Sequence, residues 1–137
     1  MPDADRYDVL PGPLRGQLDG LAADHRDRDL RRFAAAVARI VVPLAPPSGV
    51  DLTDAAERAA SGDPIDLGAL RDRSSGTASA AATIGLKHGA RNAPAFLVCF
   101  AACTPDAHRA ALETARLATV YGRDLDLSES DLAALIP

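Results

Sequence analysis

The sequence predicts an all-α fold, a single-domain helical bundle of about six helices, and three observations carry that prediction. Apolar residues recur at helical spacing in one segment after another. Aromatic residues are scarce, with three Phe, two Tyr and no Trp, so Ala and Leu must supply the core, which suits close-packed helices. No stretch shows the strict alternation of a half-buried strand. The chain of 137 residues is read as one domain. Residues 1–12 are expected to form an extended or turn-rich N-terminal arm, because Pro11 and Pro13 flank Gly12. A chain of this length buries roughly two-thirds of its unfolded surface, so neither disulfide nor metal is needed for folding.

Taken in order, Leu14, Leu18 and Leu21 place a short helix over 13–23. The strongest periodicity follows at 29–44, where Leu30, Phe33, Val37, Ile40, Val41 and Leu44 make one continuous stripe. Arg31, Arg32 and Arg39 are assigned to the opposite, solvated side. The segment 51–61 reads as a helix closed by Gly62 in a left-handed C-terminal position. Asp63 and Pro64 supply a cap and a first-turn proline for a helix to Arg73, interrupted by Ser74, Ser75 and Gly76. Ala78, Ala81, Ala82, Gly85 and Gly89 then form a ridge of small side chains, expected on a central and mostly buried helix. Residues 94–103 are apolar on every side and so internal. Thr104, Pro105 and Asp106 start a helix to Tyr121, with Ala110, Thr114, Leu117 and Tyr121 inward and Arg109, Glu113 and Arg116 in solvent. Ser128 with Asp131 resembles a capping box for a last short helix.

The formal net charge of −4 argues against a nucleic-acid binder, which needs a basic face to displace counterions from phosphates. The longest apolar run, 93–103, is about half of the roughly 20 residues a membrane span requires. The acidic start MPDADRYDVL has no apolar segment of the signal-peptide kind, so a cytoplasmic location is expected. If the apolar helix over 94–103 is left uncovered by its own chain, a homodimer is expected.

Three groups of residues invite chemistry. Cys99 and Cys103 are four apart and share a helix face; with His108 or His88 they would offer three soft metal ligands. Zinc sites favour a fourth ligand and tighter cysteine spacing, so both cysteines are read as core residues, with no metal or other cofactor. Lys87 and His88 sit beside small apolar residues, where burial would lower the pKa of either and suit a general base or Schiff-base residue. Adjacent helical residues point about 100° apart, so both cannot face one pocket squarely, and a helix end emerging into solvent is the plainer reading. The acids Asp24, Asp27 and Asp29, and the tail acids Asp124, Asp126 and Glu129 with Tyr121, offer a negative surface for a protein partner. No phosphate loop, nucleophile elbow or HExxH motif is present, so the chain is read as a binding protein rather than an enzyme, with a pocket near Lys87 and His88 as the alternative.

From His25 to Tyr121 the order of segments resembles the bacterial Imm-5-like immunity proteins. HRDRDLRRFAAAVARIVVPLA, with Phe33-Ala34, Ala38-Arg39 and Pro43-Leu44, resembles their first helix. DAAERAASGD resembles the second element, and ASAAATIGLKHGARNA the Ala- and His-rich central helix. The resemblance implies a compact helical protein that binds and neutralises a toxin, and it transfers no catalytic residue.

Overall fold

The computed structural model describes residues 6–85 and 91–137, the side chains of residues 81–85 excepted. Eight α-helices and no strand occur among the described residues. They are α1 (Gly12–Ala23), α2 (Asp27–Val41), α3 (Ser48–Ala60), α4 (Leu67–Gly85), α5 (Asn92–Ala102), α6 (Ala107–Val120), α7 (Gly122–Leu125) and α8 (Glu129–Ala133). A short 3₁₀ turn, Val42–Leu44, carries α2 into the loop, where Pro43 cannot continue the α-helical ladder. The all-α expectation holds.

The centre of the bundle is α5, whose Ala93, Pro94, Ala95, Phe96, Val98, Cys99, Ala101 and Ala102 are all buried. It is packed by α2, α3, α4 and α6, so its own chain covers it and the reason to expect a dimer falls away. Close approach to α5 depends on small residues. Gly49 at the start of α3 lies where an added Cβ would stand 3.4 Å from Cys99 Sγ and 2.8 Å from the Ala45 Cβ. The buried Thr53 hydroxyl turns back to donate to the Gly49 carbonyl at 2.8 Å.

Several local expectations change. Helix α2 is buried over two faces, because Ala34, Ala35 and Ala38 pack inward beside Leu30, Phe33, Val37 and Val41. Ile40, assigned to the stripe, is 46% exposed, whereas Arg31, assigned to solvent, is buried. Ser74, Ser75 and Gly76 do not break the chain; α4 runs through them. All three are partly or fully exposed, so they cost only helix propensity, about 1 kcal/mol for the glycine. Packing along α5 offsets that cost. The cap of α4 is Asp66, which accepts the Ala69 N–H at 2.9 Å, not Asp63. In the described side chains α4 buries Leu67 and Ala78, so its first three turns are largely peripheral. Of the small-residue ridge Ala78 is buried, while the side chains at Ala81 and Ala82, the surroundings of Gly85, and Gly89 altogether lie outside the described residues. Asp106, not Thr104, caps α6, accepting from the Arg109 N–H at 3.1 Å. Glu113 and Arg116 are not solvated: their side chains are 14% and 22% exposed and paired at 2.9 Å, with Arg6 reaching Glu113 at 2.6 Å. From residue 6 the arm is turn-rich and lies against the bundle, with Leu10 buried and Tyr7 packed against the core.

Two helix ends share one motif with different residues. At α3, the Gly62 N–H donates to the Ala59 carbonyl and the Asp63 N–H to the Arg58 carbonyl, both at 3.0 Å, with Gly62 at φ +95°. At α1, His25 takes the same place at φ 56°, donating to the Ala22 carbonyl at 3.1 Å while Arg26 donates to the Leu21 carbonyl at 2.9 Å. A side chain is disfavoured in this conformation by roughly 1–2 kcal/mol. The Cβ of an alanine at Gly62 would meet only the flexible end of Arg28, so backbone strain dominates there. Gly62→Ala is therefore expected to lower the unfolding free energy by about 1 kcal/mol, and His25→Gly to raise it by up to about 1 kcal/mol. Urea unfolding of the two variants, read by circular dichroism, checks the opposite signs.

Candidate functional site

Helix α5 ends in AACTPD, with no glycine or cation of its own in the last turn to serve its free carbonyls. Arg31 of α2 supplies the donors. Its Nη1 donates to the carbonyls of Ala102 at 2.9 Å and Thr104 at 2.5 Å, and its Nη2 to that of Pro105 at 2.7 Å. The Thr104 hydroxyl donates to the Ala101 carbonyl at 2.7 Å, completing the closure of the helix end. Burial pulls the Arg31 pKa down, while Asp106 and Asp27 oppose that shift. An arginine remains charged under such a pull, so the site holds a fixed cation.

Outward from Arg31 lies a cleft of about 530 Å³, lined among others by Asp27, Arg28, Arg31, Asp106 and His108. Its polar groups are largely committed to holding the fold. Arg31 is spent on carbonyls, Asp106 on the α6 cap, and His108 Nε2 stands 2.9 Å from Asp19 Oδ1 of α1. This His108–Asp19 contact ties α6 to α1 at the rim, and the serine and cysteine side chains that would make it a nucleophile's base do not line the cleft.

The cysteines lie in the core. Both are free and fully buried, and the Cys103 thiol donates to the Leu52 carbonyl of α3 at 3.0 Å. Burial pushes the Cys99 thiol up from the ordinary 9.0 and the Cys103 thiol up to about 12. His108 instead occupies the half-exposed rim beside Asp19. Among the described residues, no three His, Cys, Asp or Glu side chains converge to hold a metal ion.

Lys87 and His88 lie outside the described residues. Of the first acidic group, Asp24 and Asp27 are exposed, but Asp29 is not available to a partner: its side chain is 13% exposed and is paired with Arg26 and Arg32. In the tail, Asp126 and Glu129 are exposed and Asp124 half-buried, while Tyr121 ends α6 half-buried against the core. Asp131 is taken by the capping box with Ser128, whose backbone N–H donates to it at 2.8 Å.

Sequence reasoning missed Arg31, although two signals pointed to it. Arg31 precedes Ala34, Ala35 and Ala38 by three, four and seven positions, placing it on an alanine face that must pack. The apolar segment 93–103 ends without a cationic side chain or glycine cap of its own, and buried carbonyls require donors.

Comparison of the chain with protein-family models, curated proteins and solved structures found no match. No helix among the described residues is long and apolar enough to cross a membrane.

The buried thiols set a testable expectation. A thiol whose folded pKa is raised stabilises the fold fully below the unfolded pKa of 9.0 and loses that contribution as pH rises toward about 12. At pH 8 an aromatic disulfide reagent should therefore titrate neither Cys99 nor Cys103 until denaturant is added, when both react. Unfolding free energy should fall steadily as pH is raised above 9, and more steeply than in a variant carrying Cys99→Ala and Cys103→Ala.

Proposed function

We propose that this protein is a non-enzymatic binding protein that holds a basic protein partner against its acidic C-terminal surface. Asp124, Asp126 and Glu129 support the reading, because none of them has a basic side chain within ion-pair distance among the described residues. Several other acids are engaged within the fold, Asp54 and Glu57 sharing Arg39, Asp63 with Arg58, and Glu113 with Arg6 and Arg116, whereas Asp24 and Asp27 are, like the tail acids, without an ion pair among the described residues. The tail charges repel one another and gain by meeting a cationic surface, which speeds and orients association.

The resemblance to Imm-5-like proteins extends the proposal to an immunity protein acting in the bacterial cytoplasm, its partner a toxin whose basic active site the acidic surface covers. The commitment of Arg31, Asp106 and His108 to carbonyls, a helix cap and Asp19 fits a scaffold better than a reaction centre.

The test is capture from the native cells by the immobilised protein, with stoichiometry and dissociation constant measured on the recovered complex. A basic protein at near one-to-one is expected, and its association rate should fall as salt is raised. Asp124→Asn, Asp126→Asn and Glu129→Gln together remove the charge, and asparagine suits the left-handed backbone of Asp126 at φ 58°. This variant should weaken the complex at least about tenfold. Unchanged affinity would move the interface elsewhere.

A further inference from the structure

A second cleft, of about 440 Å³, lies between α4, α5 and α6 and falls within the range of small-molecule sites. Leu97, Phe100 and Leu117 give it apolar walls, and Arg71, Arg116 and Tyr121 supply the polar groups. The guanidinium of half-buried Arg71 lies over the Phe100 ring, 4.2 Å from its centroid. That contact satisfies one face of the cation and fixes its plane, but gives its N–H groups no acceptor. Arg71 Nε is buried without a hydrogen-bond partner, the one such side-chain atom among the described residues. Among the described residues no acid is paired with Arg71 either. Glu113, the acid lining the same cleft, is already engaged by Arg116 at 2.9 Å and by Arg6 at 2.6 Å.

The charge around the cleft runs against that of the molecule. Arg71 and Arg116 against Glu113 leave the lining with one positive charge in excess, in a chain whose formal net charge is −4. A planar, pre-oriented guanidinium without a carboxylate partner matches a carboxylate edge-on through two parallel N–H bonds. The apolar walls beside it call for a hydrocarbon body rather than a second charge.

We propose that the α4–α5–α6 cleft is a binding site for a small amphipathic carboxylate, with the anion on the Arg71 fork and an aliphatic body along Leu97, Phe100 and Leu117. Arg71 is the specificity-determining residue, and Phe100 positions it. The site is independent of the acidic tail, and its occupancy does not depend on the protein-binding role.

The experiment titrates the full chain with decanoate below its micelle concentration at pH 7, read by calorimetry and by ¹⁵N side-chain resonances of arginine. Decanol, acetate and inorganic phosphate are the comparison probes. Saturable one-to-one binding of decanoate is expected, with the Arg71 Nε resonance shifting most. Decanol and acetate should bind at least about tenfold more weakly, since each lacks one half of the match. Arg71→Gln, at a half-exposed position where the fold is retained, should weaken decanoate at least about tenfold, with Arg71→Lys between the two. Thermal melts of both variants confirm that the fold is intact. Absence of saturable decanoate binding would overturn the proposal. So would equal binding by Arg71→Gln, equal binding of decanol, or phosphate binding as tightly as decanoate.

Discussion

A single guanidinium closes the end of the most apolar helix in the molecule, and the arrangement of the bundle depends on it. Buried carbonyls at a helix terminus must find donors; local N–H groups and the Thr104 hydroxyl serve those of Phe100 and Ala101, but α5 brings no cationic side chain for the carbonyls that follow. Arg31 meets three of them at once, at 2.9, 2.5 and 2.7 Å, and so fixes where α2 stands relative to the α5–α6 junction. Burying the ion costs several kcal/mol. Hydrogen bonds from a charged donor return about 1.5–3 kcal/mol each, and the negative end of the helix dipole adds to them. The two sides nearly cancel. The consequence is geometric: the same residue bonds both to the last turn of α5 and to the loop that starts α6, so the two helices cannot shift independently.

Around that fixed point the packing follows from small side chains. The buried positions of α2, α5 and α6 are rich in alanine, which lets α5 pack against α2, α3, α4 and α6 at once. Gly49 brings α3 against Cys99, and the Cys103 thiol reaches the Leu52 carbonyl of the same helix. These contacts seal both thiols from solvent and raise their pKa, which keeps them in the less reactive thiol form at neutral pH. The exposed bridge from Arg39 to Asp54 and Glu57 adds little to stability beside this burial.

Legibility of the fold in the sequence tracked locality. The left-handed glycine at 62, the Ser128–Asp131 capping box and the internal position of α5 are set by residues a few positions apart, and all three are found where the sequence places them. Burial of Arg31 depends on carbonyls 71 to 74 positions away, and the solvent exposure of Ile40 on which sides of α2 meet neighbours. Periodicity on one helix cannot report either. The continuous α4 was hidden for a related reason, since local propensity at Ser74, Ser75 and Gly76 is overruled by packing along α5. For the candidate sites, the tail acids were readable as a charge pattern. The Arg71–Phe100 contact and the engagement of Glu113 by Arg6 were not, because each joins separate elements.

The clefts then acquire distinct characters. Beside Arg31 the guanidinium, Asp106 and His108 are engaged by the fold, whereas the buried Nε of Arg71 has no acceptor among the described residues. The most direct test of the central claim is the equilibrium unfolding free energy of Arg31→Met, with Arg31→Lys measured alongside. Methionine keeps most of the volume and removes the cost of burying a charge, but leaves three carbonyls without a donor. A loss of about 2–4 kcal/mol is expected, with lysine recovering part of it because one ammonium cannot span all three acceptors. A methionine variant as stable as the original protein would contradict the account, since the α5 terminus would then be held by packing alone.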